Sequence, residues 1–90
     1  MARGAREKPK RLAEKLLQIR NALELSQTEM LKRLGAEDRM AYHRISEFES
    51  GKGEPSLILL LAYARVAGVH MEDIVDDEVD LPTRLPARRK

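Results

Sequence analysis

The segment LSQTEMLKRLG, from Leu25 to Gly35, marks both ends of one short helix. Ser26 is suited to cap a helix N-terminus, and Glu29, three residues on, can reach back to the Ser26 backbone N–H. Gly35 is a stop, because glycine takes the left-handed conformation that a helix C-terminus favours. This predicts helix 2 over about Gln27–Leu34, with Met30, Leu31 and Leu34 inward.

Apolar residues elsewhere follow the same spacing of three and four. Leu12, Leu16, Ile19 and Leu23 make one stripe of helix 1, expected from Pro9 to Glu24 with the proline in the first turn. Helix 3 is expected over about 39–50, with Ala41, Ile45 and Phe48 on one face and Gly51 as its stop. Its start is open: Asp38 could cap it, or it could begin nearer Ala41. After the loop GKGEP, Ser56 caps helix 4, LILLLAYARVA, which ends at Gly68. Helix 5 covers about Met71–Val75, with Met71, Ile74 and Val75 inward and His70 at its start. Strand-forming aromatics are scarce, and ninety residues support one domain. The reading is an all-α, compact five-helix domain over 9–76. Residues 1–8 are expected to be a disordered basic arm. Residues 77–90, acidic then basic with Pro82 and Pro86, are expected to be an extended or disordered tail.

Several function classes fall away. Without cysteine there is no disulfide and no thiolate metal site. His43 and His70 stand alone, away from any ligand cluster or nucleophile, so no catalytic residue, metal or cofactor is expected. The acids from Glu72 to Asp80 lack the glycine of a calcium loop. The longest apolar run, Leu57–Ala62, is too short for a membrane span, and no apolar stretch follows the basic start as in a signal peptide. A cytoplasmic protein of a bacterium or phage is expected. The net charge of +2 hides a pattern. Arg3, Arg6, Lys8, Lys10 and Arg11 crowd the N-terminus, and Arg84, Arg88, Arg89 and Lys90 the C-terminus. Basic ends suit a polyanion.

LSQTEMLKRLG, then ISEFESGKGEPSL, then LLLAYARVAGV resemble, in order and spacing, the Xre-type helix-turn-helix family of Cro-like and cI-like phage repressors. The resemblance spans roughly Leu12 to Val75. It implies that helix 2 crosses the DNA backbone and that helix 3 enters the major groove, which at about 12 Å wide admits one helix. By motif, the base-reading positions fall on Tyr42, His43, Ser46 and Glu47. Backbone contacts fall on Gln27, Arg44, Lys52 and, in the long turn, Arg39, joined by Arg3, Arg6, Lys8 and Lys10 of the arm. Arg44 could also reach a base. Arg20 and Glu49 match a salt bridge that ties helix 1 to helix 3. The implied partner is a double-stranded operator bound by a homodimer.

The chain departs from the family pattern in three places. Ile45 lies ten residues beyond Gly35, about four more than expected. The excess is either a longer loop or an added helical turn, and an added turn would extend helix 3 by about 6 Å. Leu31 stands where the family favours alanine, at a close helix crossing. Ile58, Leu59 and Ala62 stand at commonly polar positions of helix 4, which implies a dimer or partner interface. The folded-back tail is the other way to cover them. Glu47 is also unusual on a DNA-reading face. The alternative function is therefore a protein-interaction module of the same fold, antitoxin-like or partner-binding through helix 4, with weak or no DNA binding.

Overall fold

In the computed structural model, which describes residues 8–86, the apolar spacing folds into five helices. These are α1 (Leu12–Ala22), α2 (Gln27–Arg33), α3 (His43–Ser50), α4 (Leu57–Ala67) and α5 (Met71–Val75). Packed against one another are α1 with α3 and α5, α2 with α3, and α4 with α5. Leu16, Ile19, Met30, Ile45, Phe48, Tyr63 and Ile74 form the centre of the core.

Local chemistry sets the ends. The Ser26 hydroxyl accepts the Glu29 N–H at 3.0 Å, and the Glu29 carboxylate accepts the Ser26 N–H at 2.7 Å. That second bond holds the Glu29 carboxyl below the usual carboxylate range. At the far end Gly35 takes φ +74°. The Gly35 N–H donates to Lys32 C=O and the Ala36 N–H to Leu31 C=O, a Schellman closure. Its flanking residues Leu31 and Ala36 are both buried. Helix α1 ends earlier than its stripe suggests. Leu23 is its last cap and Glu24 carries the left-handed turn at φ 59°.

Three expectations need correction. Pro9 precedes α1 and is not in its first turn. The extra residues before α3 form a separate turn, not added helix: the N–H groups of Arg39 and Met40 both donate to Ala36 C=O. Buried Ala36 anchors that turn and Met40 packs on the core. Asp38 therefore caps nothing of α3, and Ala41 is exposed instead of inward.

The third correction concerns the tail. Leu81 and Leu85 are buried in the main core, so the packed unit continues past residue 76. The reason lies on α1. Lys15 falls on the apolar stripe between Leu12 and Leu16 and is buried. Its ammonium donates to the carbonyls of Asp73, Asp76 and Val79 at 2.9, 2.8 and 2.6 Å. An ammonium has three donors, and here each has an acceptor from the end of α5 or the strap that follows. The Asp77 carboxylate then accepts the backbone N–H groups of Lys10 and Arg11 at 2.8 and 2.9 Å. Arg11 closes the clamp on Asp80 at 2.7 Å. The acidic run thus folds over the start of α1.

Candidate nucleic-acid interface

Ile45 and Phe48 turn one side of α3 into the core, so the other side must face out. His43, Ser46 and Ser50 are exposed there, with Glu47 and Arg44 partly exposed beside them. Ser50 was not anticipated, although it lies one turn beyond Ser46 and Glu47 on the same face. No side chain caps the N-terminus of α3. Instead the N–H groups of Arg44 and Ile45 bond three residues back, to Ala41 and Tyr42, which tightens the first turn. Tyr42 sits at this entrance, 55% exposed. Its ring meets His43 edge-on at 6.4 Å.

The orientation of α3 is held from below. Arg20 Nε donates to Glu49 Oε2 at 2.6 Å and Arg20 Nη2 to Glu49 Oε1 at 3.0 Å, a two-pronged bridge from α1 to α3. Both side chains are largely buried, at 17% and 6% exposed. The hydrogen bonds to Glu49 raise the Arg20 pKa further above its ordinary value. Arg20 Nη1 also donates to Leu25 C=O at 2.9 Å, and Gln27 Nε2 lies 3.5 Å from Glu49 Oε1. The entry to α2 is therefore linked to the same carboxylate. Tyr63 is buried beside this pair. Burial, then the nearby Glu49 charge, pushes its hydroxyl well above the usual range.

At the C-terminus of α3, Gly51 takes φ +84°. Lys52 is exposed, while its backbone N–H donates to Glu47 C=O at 2.9 Å. Lys8, Pro9 and Lys10 line one cleft with Phe48, Gly51 and Gly53. The root of the basic arm thus lies against the end of α3 and the Lys52 loop. Arg3 and Arg6 lie outside the described residues. Arg39 is exposed in the separate turn before α3.

The three residues expected on α4 do not share one surface. Ser56 Oγ accepts the Leu59 N–H at 3.1 Å and caps the helix, and the Leu59 side chain is buried in the core. Leu59 is thus corrected from an interface residue to a core residue. Ala62 is half-buried against the core. Ile58 is 69% exposed, and so is Leu57 at 71%, a residue the pattern did not single out. Among the described residues, no group of His, Asp and Glu could hold a metal ion. No described helix is long and apolar enough to cross a membrane.

The arrangement is a short helix with an exposed hydrogen-bonding face, clamped to a second helix that precedes it and rooted beside a basic arm. The helix-turn-helix model HTH_3 matches residues 16–74, well over half of the chain. The chain belongs to the Xre/Cro-like helix-turn-helix family. No curated protein and no solved structure matches it. Within the family's frame, α2 and α3 are the paired helices, and the connection 34–42 between them carries the extra turn. The family is one of DNA-binding regulators.

Proposed function

We propose that the protein is a sequence-specific double-stranded DNA-binding transcriptional repressor. It reads the major groove with α3 and acts in the cytoplasm as a homodimer. The observation that carries this reading is the outward face of α3. Tyr42, His43, Ser46 and Ser50 are exposed and can hydrogen-bond, while the Arg20–Glu49 bridge fixes the helix behind them. Such a face suits base edges, which specify sequence, while Gln27, Arg39, Lys52 and the arm suit phosphates, which position the protein.

The test is binding of the purified protein to its own upstream DNA and to random duplex at several salt concentrations. Tight binding that prefers the upstream fragment and weakens steeply with salt supports the reading, since phosphate contacts release counterions. The double variant Tyr42→Ala/His43→Ala should lose the preference and keep its fold. Equal and weak affinity for both DNAs would sink the proposal.

The exposure of Leu57 and Ile58 favours a second reading, a protein partner docked at the start of α4. In the homodimer reading the same two side chains belong to the subunit interface. Replacing Ile58 with glutamate tests whether these side chains belong to the subunit interface. A monomeric variant with weakened operator binding points to the dimer. An unchanged oligomeric state with intact DNA binding takes Ile58 out of the subunit interface.

A further inference from the structure

We propose that Arg44 and Glu47 act as one unit that reads a single G·C base pair, Arg44 donating to the guanine and Glu47 accepting from the cytosine amino group. This rests on the DNA-binding reading above and goes beyond it by assigning a base pair to two side chains.

An acid on the outward face of a groove-entering helix meets phosphates unfavourably unless it has a donor of its own. Glu47 has one in the free protein: Arg44 Nη1 donates to its Oε1 at 3.1 Å. Neither group is loose. The Arg44 guanidinium lies over the buried Phe48 ring, 5.4 Å from its centroid, where the ring face attracts it. The Glu47 backbone carbonyl accepts the N–H groups of Gly51, of Lys52 at 2.9 Å and of Gly53 at 3.1 Å. A Cβ on Gly53 would lie 3.3 Å from Glu47 Cβ, so the loop folds directly over this residue. The two side chains are therefore already paired before any DNA arrives, which lowers the cost of bringing them together on binding.

The order of its polar groups matters. A guanidinium carries five N–H donors, so one bond to Glu47 leaves donors to spare. Side by side, the pair offers donors and then an acceptor. In the major groove a G·C pair offers guanine N7 and O6, two acceptors, and then the cytosine N4 amino donor. O6 and N4 are hydrogen-bonded to each other, hence about 2.9 Å apart. The Nη1 to Oε1 separation of 3.1 Å matches that spacing. An A·T pair fits less well. Turned with thymine toward Arg44, it offers O4 and then adenine N6 at the same spacing, but it sets the thymine methyl where guanine offers N7, so the guanidinium loses its second acceptor.

The experiment selects bound duplexes from a random-sequence pool with the full-length wild type, Glu47→Gln and Arg44→Gln, each checked for folding by circular dichroism and melting. The wild type should enrich G·C at one fixed position of its site. Each variant should relax that position alone, and the glutamine at 47 should also tighten binding to random DNA. N4-methylcytosine placed at that position should weaken wild-type binding roughly tenfold and Glu47→Gln binding less, since a neutral amide oxygen accepts more weakly than a carboxylate. The inference is overturned if both variants keep the wild-type preference at every position. It is equally overturned if the methyl group weakens wild type and Glu47→Gln alike, or if the relaxed position is A·T. A wild type that enriches no motif at all overturns the DNA-binding reading itself.

Discussion

Glu49 is the side chain on which the candidate interface most depends. It is nearly buried and takes two bonds from Arg20. Removing one member of such a pair strands the other charge. Glu49→Ala is therefore expected to cost about 3 kcal/mol. Replacing both residues by apolar groups of similar volume should cost much less, because no charge is left buried. Denaturant unfolding of the single and double variants measures the difference; equal losses would mean that the bridge is not a coupled unit. Tyr63 makes the opposite case. Its hydroxyl is buried and has no hydrogen-bond partner among the described residues. An unsatisfied buried hydroxyl costs about 1–3 kcal/mol. Tyr63→Phe should thus raise stability, by about 1 kcal/mol, with the fold unchanged. A clear loss of stability would imply a partner for that hydroxyl.

Between elements, the decisive contact is the clamp of the post-α5 strap on α1. The first N–H groups of a helix have no partner within it, and Arg11 offers α1 no side-chain cap. Asp77, distant in sequence, accepts the N–H groups of Lys10 and Arg11 instead. These two hydrogen bonds, chiefly, hold its carboxyl below the usual carboxylate range. A folded-state pKa below the unfolded one means that Asp77 stabilises the fold above its unfolded pKa, about 3.9. That contribution falls away as the pH drops through the folded value. Melting temperatures of wild type and Asp77→Asn should accordingly differ at neutral pH and converge in acid, once protonation has removed the wild-type advantage. A gap that stays constant with pH would mean that Asp77 acts by shape alone. Lys15 explains why the strap passes where it does, since three carbonyls from Asp73, Asp76 and Val79 surround its ammonium.

At the scale of the whole molecule, the arm, the reading helix and the Lys52 loop are expected to meet DNA as one surface, because Lys8 and Lys10 lie beside the end of α3. Removing residues 1–8 takes away Arg3, Arg6 and Lys8. Affinity for all sequences should fall together. The slope of log affinity against log salt should flatten by up to about one unit per lost phosphate contact. An unchanged slope would show an idle arm. Much of this architecture is legible in the sequence alone. Helix α2 could be placed from Ser26, Glu29 and Gly35 because capping is local chemistry, settled within a few residues. The inward faces of α1 and α3 could be read from Leu16, Ile19, Ile45 and Phe48 because helical periodicity is local too. What stayed hidden depends on residues far apart in the chain. Leu81 and Leu85 look like tail until Lys15, more than sixty residues earlier, supplies three donors that draw the strap over α1. Leu59 and Ile58 are equally apolar neighbours, and only packing against the rest of the core sends one inward and leaves the other out. The extra residues before α3 could have been helix or loop until buried Ala36 anchored a separate turn. The sequence by itself determined how the five helices follow one another and where most of their apolar faces lie, since caps and periodicity act over one or two turns. The tertiary structure alone decided which apolar residues and charges find partners, since that depends on distances that no local pattern encodes.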